Sequence, residues 1–232
     1  MYLSRIALNS KRRETMRALS SPQILHGAVE CSFDGDRQRN LWRIDWLNDI
    51  CYLLILSAKQ GDFMHIVDQF GYKDSEWQTK NYDPFLSRLK TGQIWQFRLS
   101  ANPTRSSFEG KNDKSERGKV FAHVTQDQQK QWLLKRSQTC GFLLDESGFD
   151  VTHSQWLKFS KNKKDKITLH MVAFEGILTI SDVECFKQSL LSGIGREKAY
   201  GCGLLTLAHI RGVNDGKDTR NKKAGIASTT AD

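Results

Sequence analysis

The chain has 232 residues, and its 35 lysines and arginines outnumber its 26 aspartates and glutamates, giving a formal net charge of +9. This excess favours a polyanionic partner, such as nucleic acid or an anionic membrane surface. No apolar run reaches the roughly 18 residues of a membrane span, and the start MYLSRIALNS lacks the features of a secretory signal. Five widely spaced cysteines without a C-x-x-C pair are typical of a reducing compartment, so we expect a cytoplasmic protein without a membrane partner.

The first half begins with a predicted strand and a predicted helix. Residues 1–8 mix β-branched, aromatic and aliphatic side chains, which indicates a strand. Ser20 precedes Gln23 by three residues, the spacing of a capping box, and Pro22 is a good first helical residue. We therefore expect a helix over residues 22–30.

A hairpin and a further strand complete the first half. Residues 41–47 alternate between apolar and charged side chains and predict a half-buried strand, with Arg43 and Asp45 opposite the tryptophans. Polar turn residues lead into the apolar run 51–56, and after a weak helical stretch residues 93–101 alternate again. The predicted order is β-α-β-β-(weak helix)-β.

The second half repeats this order. Residues 120–124 predict a strand, Thr125 has the capping-box spacing of a helix start, and further strands lead up to residues 166–180. Ser181 is the expected cap of the next helix, and residues 203–210 form the last predicted strand. Two βαββαβ units in series predict an α+β protein with two tandem ferredoxin-like domains.

The predicted domain limits follow from these elements. We expect an N-terminal domain over residues 1–104, a basic interdomain loop over 105–119, and a C-terminal domain over 120–211. The small, polar and charged residues 212–232 cannot bury a core, which predicts a disordered tail.

His26 is the candidate catalytic residue. Leu25, Ala28 and Val29 define the apolar face of the predicted helix, so the helical period directs His26 to the polar side. A histidine titrates near neutral pH and can exchange a proton when a ribose 2′-OH attacks the adjacent phosphorus. A solvated surface histidine without a function gives the same pattern.

We expect neither a metal nor another cofactor. The sequence has no H-x-x-x-H or H-E-x-x-H spacing of a metal site. The remaining histidines lie in isolated strand or loop contexts; they are His65, His123, His153, His170 and His209.

Four glycines surround two cations in the segment GIGREKAYGCGLL. Glycines allow sharp turns that bring backbone N–H groups close to a phosphate. The order helix, loop, strand differs from that of a nucleotide P-loop, and a tight helix-to-strand connection explains the glycines as well. The residues are Gly193, Gly195, Arg196, Lys198, Gly201 and Gly203.

Two further basic segments could neutralise RNA phosphates, although solvated loops have the same composition. The denser one contains Lys158, Lys161, Lys163, Lys164 and Lys166. The other, between the halves, contains Arg105, Lys111, Lys114, Arg117 and Lys119. In residues 117–124 only Phe121 matches the aromatic positions of an RNA-recognition strand, so we expect recognition of RNA shape and phosphates there, not base stacking.

Several segments together resemble one family, the CasE-type CRISPR-associated endoribonucleases of the type I-E Cascade complex. The opening MYLSRIALN, His26, FRLSANPTR at 97–105, AFEGILTISD at 173–182 and GIGREKAYGCGLLTLA at 193–208 carry the resemblance. It spans about residues 1–208.

The resemblance implies an enzyme that binds the repeat stem-loop of precursor CRISPR RNA and cuts it without a metal, on the 3′ side of the stem, by 2′-OH attack. It further implies that the mature crRNA stays bound and that other Cascade subunits are partners. His26 matches the catalytic histidine of the family. Lys166 is the closest match to an assisting lysine, with Lys163 and Lys164 as alternatives. A tyrosine that some members carry is replaced by Gln23, which can supply only a neutral hydrogen bond.

Two alternatives remain open from the sequence. The first is an RNA-binding subunit of the same complex without catalysis, which the replacement at Gln23 permits. The second is a ferredoxin-fold enzyme acting on a small anionic metabolite, because a fold alone does not fix a function.

Overall fold

The computed structural model describes residues 1–36, 38–107, 119–161 and 165–210. Its helices are α1 Arg13–Ser20, α2 Pro22–Glu30, α3 Met64–Phe70, α4 Asp83–Ser87, α5 Gln126–Thr139 and α6 Val183–Ser192. Its strands are β1 Tyr2–Leu8, β2 Leu41–Leu47, β3 Ile50–Ser57, β4 Gln78–Asn81, β5 Ile94–Ala101, β6 Thr104–Ser107, β7 Lys119–Ala122, β8 Phe142–Leu143, β9 Phe149–Ser160, β10 Lys166–Ile180 and β11 Leu205–Ala208. A 3₁₀ turn, Lys198–Tyr200, precedes β11. Within these ranges no helix combines the length and the apolar character that crossing a membrane requires.

The first sheet is antiparallel, with the strand order β2-β3-β1-β4. The alternation of β1 directs Ile6 and Leu8 inward, where both are fully buried. Helices α1, α2 and α3 cover this face, and Leu25, Val29 and Phe70 belong to the same core. Apolar burial of this kind, at about 25 cal/mol per Å², is the main force that holds α2 on the sheet.

The second sheet has the order β11-β5-β10-β8, and β9 pairs with β10 outside this path. Trp95, Phe97, Leu99 and Ala101 share the buried face of β5, as their alternation predicts. Helices α5 and α6 cover this face through Trp132, Leu133, Phe186 and Leu190.

The sheet to which β5 belongs differs from the prediction. Residues 93–101 were expected to close the first half, but β5 pairs with β10 and β11 of the second sheet. The fourth strand of the first sheet is instead β4, which is short, polar and mostly exposed. Its lack of apolar alternation leaves no strand signal in the sequence. With this correction, each unit has the βαββαβ order, so the two tandem ferredoxin-like domains are confirmed.

Arg43 joins the two sheets. Its guanidinium donates to both carboxylate oxygens of Asp45, at 2.8 and 2.6 Å, and to the carbonyls of Arg98 and Leu204, at 2.7 and 2.8 Å. Arg43 is 1% exposed and Asp45 is 4% exposed. The strand over residues 41–47 was expected to expose its charged face, but the second sheet covers that face. At the end of β2, Trp46 is exposed instead.

The predicted turns and caps are partly confirmed. Asn48 and Asp49 form the hairpin turn with φ values of 49° and 62°, and the Thr125 side chain accepts from Gln128 N. The expected cap at Ser181 is wrong by one residue, because the Asp182 carboxylate accepts from the first N–H groups of α6. The expected cap at Ser20 is also wrong, since this hydroxyl bonds back to Met16 O inside α1.

Candidate functional site

A cleft of about 730 Å³ lies between α2 and the glycine-rich loop. One wall comes from α2, one from the chain that enters β2, and one from the residues before β11. The lining residues are His26, Glu30, Gln38, Arg39, Asn40, Gly195, Arg196, Glu197, Lys198 and Ala199. The cleft brings His26 together with two predicted RNA-binding residues, Arg196 and Lys198.

His26 is placed in the cleft by the packing of α2. The helix begins at Pro22, and Leu25 and Val29 are buried at 2% and 1% exposure against the first sheet. Because His26 follows Leu25 by one residue, about 100° around the helix, its ring leaves the core and enters the cleft. The predicted polar-side orientation of His26 is confirmed by this position.

Tyr200 orients the His26 ring, and sequence reasoning did not identify it. The two rings meet edge to face, with centroids 6.1 Å apart and an interplanar angle of 78°. The ring of Phe159, in β9, packs against another side of Tyr200, with the two ring centroids 4.9 Å apart. Burial, and then the charge of Glu197, raises the pKa of the Tyr200 hydroxyl. The one available signal was that Tyr200 is the aromatic residue within the glycine-rich segment.

The glycines of this loop are required by close packing against β2. Gly193 and Gly201 have φ values of 76° and 82°. A Cβ at Gly193 would lie 2.8 Å from Leu41 Cδ2, and one at Gly201 would lie 2.8 Å from the Trp42 ring. The buried side chains of Leu41 and Trp42 would have to shift to relieve these contacts, and the positive φ values disfavour any side chain at either position. The geometry therefore supports the tight helix-to-strand connection left open above.

Backbone hydrogen bonds also fix the ends of the loop. Ile194 N donates to Gly203 O at 3.0 Å, and Gly203 N donates to Ser100 O at 2.7 Å. Gly195 lines the cleft, and its φ of 86° again favours glycine. Phosphate binding by the four glycines stays a prediction.

Lys198 and Arg39 supply positive charge to the cleft. Lys198 Nζ donates to Ser192 O at 2.7 Å, at the last turn of α6. Burial, and then the nearby Arg39, lowers the pKa of Lys198. Arg39 is exposed and lines the cleft, although it was not among the predicted residues. Its position shortly before β2, in the run DRQRN, was the available signal.

Arg196 links the cleft to the β6–β7 hairpin, because its Nη2 lies 3.3 Å from Ser106 Oγ. On the hairpin, Cζ of Arg105 lies 5.9 Å from the centroid of the Phe121 ring. Lys119 is exposed at the start of β7. The other basic residues predicted for this loop lie outside the described residues; they are Lys111, Lys114 and Arg117.

The remaining predicted lysines lie near the outer end of the β9–β10 ribbon. Lys166 is exposed and pairs with Ser160, and Ile167 pairs with Phe159 on the opposite face. Because successive strand residues alternate between faces, Lys166 points away from the Phe159 face, which contacts Tyr200. Lys161 lies one residue past the end of β9, and its N–H donates to Asp165 O. Lys163 and Lys164 lie outside the described residues.

No group of three histidine, cysteine, aspartate or glutamate side chains that could hold a metal ion occurs within residues 1–36, 38–107, 119–161 and 165–210. The expectation of a metal-free site stays a prediction.

The chain is similar to known proteins over almost all of its described length. The family described as "CRISPR associated protein" matches residues 1–209. The CRISPR-associated endoribonuclease Cse3 of Thermus thermophilus is 29% identical over 223 residues, which cover 90% of this chain and 100% of that protein. The Cascade subunit CasE of Escherichia coli is 25% identical over 162 residues, covering 68% and 74% of the two chains. A structure of Cse3 bound to a 19-nucleotide RNA superposes with a TM-score of 0.75 at 26% identity, covering 90% of this chain and 100% of that chain.

Proposed function

Because this chain belongs to the CasE and Cse3 family of CRISPR-associated proteins, we propose that it cuts precursor CRISPR RNA within the repeat. The protein is an endoribonuclease like its relative Cse3, and it keeps the mature crRNA as a partner within Cascade, the complex to which CasE belongs. A cytoplasmic location is part of the same proposal.

The observation that carries this proposal is the position of His26 in an open cleft next to cations. The cleft of about 730 Å³ is open to solvent between two domains and contains Arg39, Arg196 and Lys198. These three cations outnumber the two carboxylates of the lining, Glu30 and Glu197, and an excess of positive charge attracts a phosphodiester backbone. The edge contact with Tyr200 limits how the His26 ring can turn, so the ring is oriented before RNA binds.

The proposed reaction needs no metal. The 2′-oxygen of the nucleotide before the cut attacks the adjacent phosphorus while the bond from phosphorus to the 5′-oxygen breaks. The 2′-OH loses its proton and the 5′-oxygen gains one, which leaves a 2′,3′-cyclic phosphate and a 5′-OH. His26 exchanges one of these two protons, as general base or as general acid. The proposed cut lies on the 3′ side of the repeat stem-loop.

A lysine is proposed to stabilise the extra negative charge on the phosphorane. Lys166 is the residue that the resemblance indicates, and Lys163 and Lys164 remain its alternatives. We add Lys161 as a candidate, because it lies two residues after Phe159, whose ring contacts Tyr200. Arg105, Lys119, Arg196 and Lys198 are proposed to bind phosphates of the stem.

The experiment is cleavage of the host repeat RNA in excess EDTA, under single-turnover conditions. Wild type is expected to cut RNA but not a substrate with 2′-deoxyribose at the scissile nucleotide. His26→Ala is expected to bind the RNA and not to cut it. His153→Ala is the matched control, because His153 is an exposed histidine of β9 that lines another groove.

Each alternative outcome has a distinct meaning. Equal cleavage by wild type and His26→Ala would remove His26 from the reaction, and loss of cleavage in EDTA would require a metal. Tight binding without cleavage by wild type favours the non-catalytic RNA-binding subunit. Binding without the steep salt dependence of phosphate contacts favours a small anionic substrate instead.

A further inference from the structure

Trp156 and His170 form a stacked pair on the β9–β10 ribbon. The two residues are register partners, with ring centroids 4.2 Å apart and an interplanar angle of 7°. His170 is 3% exposed, whereas Trp156 is 50% exposed. The tryptophan thus forms the outer layer of the stack, although an indole gains free energy from burial.

One face of the Trp156 indole points away from the sheet. In the part of the chain that the structure describes, β9 pairs with β10 and with no other strand, so β9 is an edge strand. His170 of β10 covers the indole face that looks into the sheet. The opposite face is therefore directed off the sheet edge and presents a flat apolar surface to solvent.

The ring beneath Trp156 is held in place. Ser154 Oγ lies 2.9 Å from His170 Nε2, and the Trp156 indole covers one face of the imidazole. Burial lowers the pKa of His170, so a neutral imidazole supports the indole. Because the Trp156 indole stacks on this fixed imidazole, it loses little conformational entropy when a ligand stacks on its outer face.

Cations surround the pair on the same face. Lys158 follows Trp156 by two residues on β9, and Lys166 precedes His170 by four residues on β10; both are exposed. Beyond His170, burial, and then the charges of Arg105 and Lys135, lower the pKa of His123. An exposed aromatic face between cations is the arrangement that binds single-stranded nucleic acid, with bases on the ring and phosphates on the charges.

We propose that Trp156 stacks on an unpaired base that flanks the repeat stem-loop, while Lys158 and Lys166 bind the phosphates beside that base. This inference rests on the proposed function, because it requires that RNA is the ligand. It also gives the exposed lysines on this face a role in holding the RNA strand. The base-stacking surface excluded for residues 117–124 is thereby supplied by a different strand.

The stacking site is separate from the chemistry. Trp156 lies on the ribbon face opposite Leu157 and Phe159, and Phe159 contacts Tyr200 beside His26. An RNA strand that reaches both sites must pass the edge or the end of the ribbon. Trp156 is therefore a binding and positioning residue. Its loss should lower RNA affinity more than it lowers the rate at which bound RNA is cleaved.

The test compares RNA affinity for three repeat RNAs: the stem-loop with both unpaired flanks, without its 5′ flank, and without its 3′ flank. Trp156→Ala is expected to weaken binding of the full RNA by about 5- to 150-fold, the range for loss of one base on an aromatic ring. Removal of the flank that stacks should abolish this difference between wild type and variant. Trp156→Phe should retain most of the affinity.

Trp46→Ala is the matched control, because Trp46 of β2 is also 50% exposed. It should leave affinity for all three RNAs unchanged. A second measurement is the quenching of tryptophan fluorescence by RNA, which Trp156→Phe should reduce even though the RNA remains bound.

Three results would overturn the inference. These are unchanged affinity in Trp156→Ala, an equal loss for all three RNAs, or unchanged quenching in Trp156→Phe. Unchanged RNA affinity in Trp156→Ala would indicate that Trp156 contacts another protein subunit of Cascade and not the RNA. A wild type that binds flanked RNA through Trp156 but does not cut it would contradict the proposed function alone.

Discussion

The ring of Tyr200 meets the ring of His26 edge to face, with the centroids 6.1 Å apart. Tyr200 is 6% exposed and lies between Phe159 and α2, so it can move little. The contact connects the second domain, which supplies Tyr200, to the histidine of the first. A substitution in one domain can therefore disturb the orientation of the proposed catalytic histidine in the other.

Tyr200→Leu is expected to slow cleavage of bound RNA by about 10- to 100-fold, because the His26 ring loses its lateral support and the geometry of proton transfer suffers. RNA affinity should change little, since Tyr200 is buried. Single-turnover rates at saturating protein, together with equilibrium binding, separate the two effects.

Tyr200→Phe is the control for this prediction. The phenylalanine ring keeps the edge contact and the packing with Phe159, so the rate should stay within a few-fold of wild type. A loss in Tyr200→Phe as large as that in Tyr200→Leu would mean that the hydroxyl itself takes part in the reaction.

The buried pair of Arg43 and Asp45 is expected to hold the two sheets together. Asp45→Ala leaves the Arg43 guanidinium buried without its carboxylate, which should cost about 3–5 kcal/mol in the free energy of unfolding. The double variant Arg43→Met with Asp45→Leu should lose less than Asp45→Ala, because it removes both charges. Urea unfolding monitored by fluorescence measures these differences.

An exposed ion pair provides the comparison. Lys187 and Glu184 of α6 lie 2.8 Å apart, with Glu184 79% exposed. Lys187→Gln should change the free energy of unfolding by about 0.5 kcal/mol or less. Equal effects of Lys187→Gln and Asp45→Ala would contradict the role given to the buried pair.

The elements with strong alternation or helical period could be predicted from the sequence. The buried face of β5 and the direction of His26 on α2 follow from local patterns. The sheet to which β5 belongs does not, because its pairing with β10 joins residues more than seventy positions apart, such as Leu99 and Phe174. Local alternation carries no information about such a partner.

Burial of the charged face of β2 could not be predicted from the sequence either. Arg43 and Asp45 look like solvated residues because charged side chains are seldom buried unless paired. Their partners include the Leu204 carbonyl, which lies 161 residues away in sequence. Tyr200 was missed for the same reason, since its contact with His26 exists only after the two domains meet, and its contact with Phe159 joins residues far apart in sequence.

Stability should fall at alkaline pH, in part through Cys51. Burial, and then the charge of Asp45, raises the pKa of this thiol from 9.0 to about 11. A group with a raised pKa in the folded state favours folding below its unfolded pKa, and this contribution is lost as pH rises. The free energy of unfolding is therefore expected to decrease from about pH 9 to pH 11.

Cys51→Ala should make this decrease shallower, whatever its effect on stability at pH 7. Cys202 and Tyr82 also have raised pKa values through burial, so part of the decrease should remain. Cys31→Ala is the control, because Cys31 is exposed. The measurement is urea unfolding at a series of pH values between 8 and 10.5, and an unchanged slope in Cys51→Ala would contradict the prediction.

The last prediction concerns which lysine assists the reaction. Lys166 lies on the Trp156 face by its strand register, and extending the alternation of β9 by one residue would place Lys161 on the Phe159 face, which contacts Tyr200. Lys161→Ala should therefore slow cleavage of bound RNA by about tenfold or more, since one cation near a developing charge has this effect. Lys166→Ala should mainly weaken binding and reduce its salt dependence by about one phosphate contact. Rates at saturation and affinities at several salt concentrations distinguish the two residues. A slower rate only in Lys166→Ala would assign the role to the residue that the family resemblance indicates, and would require that the end of the ribbon twists so that Lys166 faces the cleft.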